Sequence, residues 1–281
     1  MTRLGAVLFP GYRAFEVSRA RTNDSLLAIH VANQVALEVM RAEPDRISLA
    51  PAIFSATRDI GRMNLTIPQL EQVIEKSERD FAYMAIPFIL SSYQELVKTL
   101  RDLWLDGRED DKDFDKLSEV HNNLRLLTGV ELPPDLVNVF DLARRIRNRV
   151  VHFGGLPGSN LPSELRNIFS DAHAIWRDWS GASIALNKNP EQMDLTLGDV
   201  LAVLALTTKL SRLACAELGR RMSRERWIAI AIEDFDTQSP RALRDVHHRA
   251  RSLRGFTKCY YHAINFSSAE INDGLAVWDS R

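Results

Sequence analysis

The chain has 281 residues, of which 45% are hydrophobic, and its 36 basic and 37 acidic residues leave a formal net charge of -1. This composition predicts a soluble globular protein with a sizeable core and argues against a disordered chain. The balanced charge excludes a global basic field, so any binding of nucleic acid has to rest on local clusters of basic residues.

The first 62 residues are predicted to form two helices. Apolar residues recur at helical spacing over 23–40, and Asn23 or Asp24 is placed to cap the N-terminus of this helix. A shorter helix is expected over 52–62. This N-terminal part of the chain is therefore predicted to be a helical extension.

The next predicted helix is a long amphipathic segment that opens near residue 66 and continues to about residue 103. Pro87 should kink or split it, because proline removes a helix hydrogen bond. The charged stretch 106–113 is expected to be a solvated connector. A helix over 114–127 should then end at Thr128-Gly129, since glycine is favoured just past a helix C-terminus.

Pro133-Pro134-Asp135 marks the start of the helix of greatest interest. Its buried side is predicted from apolar residues three and four positions apart: Leu136, Val139, Phe140, Ala143, Ile146 and Val150. Further helices are expected over 163–179, over 196–232 with a break near Gly219, and over 239–263. No segment alternates like a strand, so the predicted fold class is all-α.

A sequence that suggests chemistry, Arg147-Asn148-Arg149-Val150-Val151-His152, closes this helix just before the glycines at 154 and 155. An arginine can neutralise a phosphate and a histidine can move a proton near neutral pH, which together suit metal-free RNA cleavage. At about 100° per residue, Asn148 and His152 share a helix face about 40° apart, whereas Arg147 and His152 are about 140° apart. The length of the arginine side chain, distortion where the helix stops at Gly154, or a second subunit could bring the groups together, and we favour the last two acting together.

The pattern Arg147-Asn148-x-x-x-His152 at the end of a helix resembles the signature of the HEPN superfamily of helical ribonucleases and nucleotide-binding proteins. The resemblance covers about 66–220 and implies a HEPN-like helical bundle over 66–222, flanked by helical extensions over 1–65 and 223–281. It also implies metal-independent endoribonuclease activity, a homodimer that joins two motifs, and a role as a toxin or antiviral defence effector with an antitoxin or defence-system partner.

One departure from the family pattern concerns position 154. Members paired with a nucleotidyltransferase antitoxin carry a tyrosine two residues after the histidine, whereas this chain has Gly154. Regulation by modification of that tyrosine is therefore not expected. The resemblance assigns catalysis to Arg147, Asn148 and His152. Arg144, one turn before Asn148, could extend the positive strip toward bound RNA.

A second basic segment lies between Arg241 and Lys258, with six basic residues and one acid. An apolar stripe at Leu243, Val246, Ala250 and Leu253 would leave Arg244, His248 and Arg251 on another face of one helix, suited to follow a phosphate backbone. A solvated basic face of a helix that packs on the bundle explains the same pattern equally well.

We expect no metal and no cofactor. The histidines have no HExxH or two-histidine-plus-carboxylate spacing, and glycine-rich phosphate loops and GxSxG elbows are missing from the sequence. Cys215 and Cys259 lack the spacing of a disulfide framework, which favours a reducing cytoplasm. No apolar run reaches the roughly 20 residues of a membrane span, so no membrane partner is expected.

The sequence thus predicts a cytoplasmic, homodimeric, metal-independent endoribonuclease that cleaves RNA by attack of the 2′-hydroxyl. Two alternatives remain open. The same strip could grip RNA, a nucleotide or a protein partner without catalysis. In the other, the chain is a structural interaction protein whose apolar segments 81–93 and 195–213 form a dimer core.

Overall fold

The computed structural model describes residues 5–62, 64–153, 170–181 and 193–280. Within these ranges every regular element is a helix, and an isolated antiparallel bridge joins Leu49 to Thr66. The all-α prediction is therefore confirmed. None of the described helices combines the length and the apolar composition that a membrane crossing needs.

The described helices are, in chain order, α1 (Pro10–Ala42), α2 (Ala50–Ile53), α3 (Ile67–Leu105), α4 (Val120–Thr128), α5 (Pro134–Phe153), α6 (Ser170–Ser180), α7 (Leu197–Arg221), α8 (Arg224–Gln238), α9 (Pro240–Arg244), α10 (Arg249–Tyr260) and α11 (Ser268–Asp279). A 3-10 turn, Ile60–Arg62, lies between α2 and α3.

The chain divides into two compact units. The first contains Met1–Ser18, Ser91–Val137 and Leu206–Arg281, and the second contains Arg19–Leu90 and Asn138–Ala205. Helices α1, α3, α5 and α7 each contribute a segment to both units. The division into an N-terminal extension, a HEPN-like bundle and a C-terminal extension stays a prediction.

The first unit is organised around a chain of aromatic rings. Neighbouring ring centroids lie 6.2 to 6.4 Å apart along the path Tyr93, Phe15, Tyr12, Phe9, Trp227 and Tyr261. A second cluster joins α8 to α11 through apolar side chains that are at most 5% exposed: Ile228, Ile232, Phe235, Leu243, Leu253, Ile271 and Leu275. Burial of these large side chains is the main stabilising contribution in this unit.

The second unit has a smaller cluster where the C-terminal part of α1 meets α2 and the start of α3. Its buried members are Leu37, Met40, Ala50, Ile67 and Leu70. Elsewhere in this unit the indole of Trp176 in α6 is fully buried and donates to Oδ1 of Asp199 at 2.8 Å. The segments 81–93 and 195–213 also supply buried side chains, such as Ile86 and Val203, within the chain itself.

The N-terminal helix is longer than predicted. It begins at Pro10 and passes through Asn23 and Asp24, so neither residue caps it. Proline is well suited to the first turn of a helix, and the buried side chains of Tyr12 and Phe15 anchor this turn. The prediction for 52–62 is wrong, because α2 is short and Asp59, at a φ of 62°, interrupts the helix before the 3-10 turn.

Helix α3 runs without a break over 39 residues and includes Pro87, so the predicted split does not occur. The helix after the charged connector begins at Val120 rather than at residue 114, although Phe114 is buried. Its end was predicted correctly, because Gly129 adopts a φ of 71° and donates its N–H to the carbonyl of Arg125.

The helix boundaries in the C-terminal part of the chain agree with the sequence prediction at one position and differ from it at another. The break near Gly219 is confirmed, since α7 ends at Arg221 and the Ser223 side chain caps α8. The single helix predicted over 239–263 is wrong, because the chain forms α9 and α10 with a turn between them. Helix α11 was not predicted, although Ser267 and Glu270 form a reciprocal capping box at its start.

The two cysteines lie in different environments. Cys215 in α7 is buried, and burial raises the pKa of its thiol well above the ordinary value. Cys259 in α10 is exposed, and both thiols are free.

Candidate functional site

The motif lies on the last two turns of α5, which begins at Pro134 with Asp135 in its first turn. The predicted buried stripe of this helix is confirmed at Leu136, Val139, Phe140, Ala143 and Ile146, all at most 2% exposed. Val150 is half-buried. Because this stripe fixes the rotation of α5, it also fixes which directions residues 147–152 face.

Arg147 and Asn148 are brought together by a hydrogen bond. The Nη1 of Arg147 donates to Oδ1 of Asn148 at 3.1 Å. Both side chains are half-buried, and Nε of Arg147 is buried with no hydrogen-bond partner among the described residues. The long arginine side chain therefore bends toward the face of α5 that carries Asn148.

His152 is exposed and lies in the last turn of α5. The helix continues to Phe153, so residues 147–152 are all helical and Asn148 lies one turn before His152 on the same face. The Arg147 guanidinium turns toward Asn148, and the helix remains regular up to His152. Gly154 lies outside the described residues.

Arg144 is engaged within α5 itself. Its Nε donates to Oδ1 of Asp141 at 2.9 Å, and Nε of Arg145 donates to Oδ2 of the same carboxylate at 2.8 Å. Burial acts to raise the pKa of Asp141, but the hydrogen bonds from the two arginines outweigh burial and lower it. Arg144 thus has a fixed carboxylate partner, and RNA would have to compete with it.

The second basic segment departs from the predicted single face. Arg244 ends α9, His248 precedes α10 and Arg251 lies in its first turn, so the three do not share one helix. Val246, expected in the apolar stripe, is 68% exposed. Asp245 causes the interruption, because its Oδ1 accepts from the backbone N–H groups of residues 247 and 248 at 3.1 and 3.3 Å.

His248 is also bound to Asp245. Its Nδ1 lies 3.0 Å from Oδ2 of that carboxylate, and this contact lowers the pKa of Asp245. Arg244 and Arg251 are exposed. Each of the three residues can still contact a phosphate, but the segment lacks the continuous basic face that the sequence predicted.

In the described ranges, no group of three or more histidine, cysteine, aspartate or glutamate side chains is arranged to hold an ion. His121, which is half-buried, lies 2.9 Å from the Tyr93 hydroxyl. Burial lowers its pKa to about 4, so this imidazole is neutral and structural.

Two features of the first unit were missed from the sequence. A cavity of about 240 Å³ lies between α8 and α11, with a floor that includes Ile228 and Ile232 and a rim that includes Glu225 and Asp273. A buried network also joins Arg13 to Asp234. The capping box of α11 could have signalled the cavity, since it predicts the helix that forms one wall.

The chain has no match among protein-family models, among curated proteins or among solved structures.

Proposed function

We propose that this chain is a metal-independent endoribonuclease that cleaves RNA at a site formed by Arg147, Asn148 and His152. The observation that carries the proposal is the hydrogen bond from the Arg147 guanidinium to Asn148, one helical turn before the exposed His152. This bond supports a surface of α5 on which the Arg147 guanidinium binds a phosphate and the His152 imidazole carries a proton. The resemblance of the motif to the HEPN signature, and a HEPN-like bundle around it, belong to the same proposal.

The chemistry divides among the three side chains. Attack of the 2′-hydroxyl oxygen on phosphorus forms a 2′,3′-cyclic phosphate and breaks the bond to the 5′-oxygen, which leaves with a proton. Arg147 neutralises the charge that develops on the phosphoryl oxygens, and Asn148 holds the guanidinium in place. His152 either removes the 2′-proton or supplies the proton of the leaving oxygen.

In an in-line attack the 2′-oxygen and the leaving 5′-oxygen lie on opposite sides of the phosphorus, so one imidazole held in place on α5 does not reach both. The proposal therefore includes a homodimer in which a second copy supplies the other histidine. A cytoplasmic location and a role as a toxin or antiviral effector, with an antitoxin or defence-system partner, follow from the family resemblance and belong to the proposal as well.

The test is cleavage of total RNA in the presence of EDTA by wild type, His152→Ala and His262→Ala. His262 is also exposed but lies outside the motif, which makes it a matched control. We expect wild type and His262→Ala to give 2′,3′-cyclic phosphate ends and His152→Ala to give none. Wild-type protein without cleavage, or a fully active His152→Ala variant, would reject the proposal.

The arginines offer a further comparison. Because Arg144 is already paired with Asp141, we expect Arg144→Ala to weaken cleavage modestly and Arg147→Ala to abolish it. Equal losses in the two variants would mean that the phosphate is held by the whole strip rather than by Arg147.

A non-catalytic RNA- or nucleotide-binding module is the second candidate. The half-buried position of Arg147 and its bond to Asn148 favour it, since both suit a fixed binding surface. Saturable RNA binding that Arg147→Ala weakens, without any cyclic phosphate product, would select this candidate over the first.

A further inference from the structure

The C-terminal part of α1 has two apolar faces, and the chain covers one of them. Leu26, Leu37 and Met40 are buried, and His30 and Asn33 on the same side contact α3. The contacts are His30 Nδ1 with Glu78 Oε1 at 2.8 Å and Asn33 Nδ2 with Ser77 Oγ at 3.0 Å. This side is how α1 packs in the second unit.

The opposite side is a ridge of apolar residues spaced four apart. The residues are Leu27, Val31, Val35 and Val39, and their exposed fractions are 44%, 59%, 53% and 42%. Side chains four apart form one continuous ridge on a helix, here about 18 Å long. Ala28 and Ala32, both exposed, flank it and would allow another helix to approach closely. Contiguous exposed apolar surface of this kind is typical of an interface.

The N-terminal end of this ridge carries an acid, and its C-terminal end carries a base, Arg41, beside the exposed Glu38. Asp24 precedes Leu27 and Arg41 follows Val39, and both side chains are exposed. Neither forms an ion pair within the described parts of the chain. When such a helix meets a second copy of itself in the antiparallel direction, each acid lies opposite the other copy's base.

We propose that this ridge is a homodimer interface in which α1 packs antiparallel on α1 of a second copy. The two-fold axis crosses the ridge midway between Val31 and Val35, which places Val31 of one copy beside Val35 of the other and Leu27 beside Val39. Asp24 then lies opposite Arg41 at both ends of the contact. The inference goes beyond the proposed ribonuclease activity, because it uses no residue of the motif and holds for an inactive chain as well.

The first experiment is sedimentation of the full chain over a range of concentrations. We expect a concentration-dependent dimer, and we expect Val31→Glu with Val35→Glu to weaken it at least about tenfold, because each interface would bury unpaired carboxylates. Val246→Glu is the matched control, since this valine is 68% exposed outside α1. A wild-type monomer at all concentrations, or a dimer that the ridge variant leaves intact, would overturn the proposal.

The second experiment tests the antiparallel register by charge exchange. Asp24→Arg and Arg41→Asp, made singly, should each weaken the dimer about fivefold by replacing attraction with repulsion at both ends. The double variant should restore the wild-type dissociation constant to within about twofold. Circular dichroism will verify that each variant folds. A double variant that stays as weak as the singles would overturn the register.

Discussion

Tyr261 donates a hydrogen bond from its hydroxyl to Oδ2 of Asp234, 2.8 Å away. The guanidinium of Arg13 binds the same carboxylate with both terminal nitrogens, at 2.9 and 2.7 Å. Burial raises the pKa of the Tyr261 hydroxyl, and the neighbouring Asp234 raises it further, so the group stays protonated and able to donate. The carboxylate, only 4% exposed, is thereby fully satisfied.

Loss of this carboxylate charge should destabilise the protein. We expect Asp234→Asn to lower the free energy of unfolding by about 2–4 kcal/mol, because Arg13 would keep its charge in a half-buried position without a counter-ion. Urea denaturation measures the change. Asp236→Asn, two residues along α8, should stay within about 0.5 kcal/mol of wild type. Equal losses of stability in the two variants would contradict a stabilising role for the ion pair between Asp234 and Arg13.

His121 should make stability depend on pH. Burial lowers its pKa from 6.5 to about 4, so the unfolded chain binds more protons than the folded one between these values. Stability is therefore present above pH 6.5 and is lost as the pH falls toward 4, by an amount on the order of 3 kcal/mol. Denaturation midpoints at several pH values will show it.

The control for this prediction is a comparison of two histidine variants. His121→Gln should flatten the pH dependence between 4 and 6.5, whereas His262→Gln, at an exposed position, should leave the slope unchanged. An identical slope in wild type and His121→Gln would show that carboxylates alone set the acid sensitivity.

Two glycines in helices should respond to alanine with opposite signs. A β-carbon at Gly274 would lie 2.7 Å from Cγ1 of Ile228, so Gly274→Ala should destabilise by about 1–3 kcal/mol through overpacking. A β-carbon at Gly255 would meet no atom within 4 Å, so Gly255→Ala should stabilise by about 0.5–1 kcal/mol. Thermal unfolding compares them, and a Gly274→Ala variant as stable as Gly255→Ala would contradict the close packing of α11 on α8.

Asp199 should be indispensable for the start of α7. One carboxylate oxygen accepts from the Trp176 indole at 2.8 Å, and the other accepts from the backbone N–H of Thr196 at 2.8 Å. We expect Asp199→Ala to cost about 2–3 kcal/mol, because it removes a cap and leaves a buried donor unpaired. Asp178→Ala in α6 is a control at an exposed position, and its effect on the free energy of unfolding should be small. Intrinsic tryptophan fluorescence during denaturation measures both variants.

Much of the fold was predictable because the apolar spacing is regular. The buried stripe of α5 and the glycine that ends α4 followed directly from helical periodicity and capping chemistry. The interruption at Asp245 did not, because an aspartate that binds the backbone N–H groups of the following turn looks the same in sequence as one on a solvated helix face. Local hydrogen bonding by that side chain decided the outcome.

Burial was harder to predict where a helix has apolar residues on two sides. Leu37 and Val35 are equally plausible core residues from spacing alone, yet Leu37 is 6% and Val35 is 53% exposed. The contacts of His30 and Asn33 with α3 select the buried side. At the motif, sequence placed Asn148 and His152 on one face, but the turn of Arg147 toward Asn148 depends on a side-chain rotamer that periodicity does not encode.

The contrast between the two thiols gives this protein a built-in reporter. An alkylating reagent added to the native chain should modify Cys259 and spare Cys215, which is buried and has a raised pKa. A molecule that gains the mass of two labels has therefore exposed Cys215, and the fraction of such molecules measures how often α7 opens. Dyes coupled to Cys259 could serve in measurements of association without any engineered cysteine.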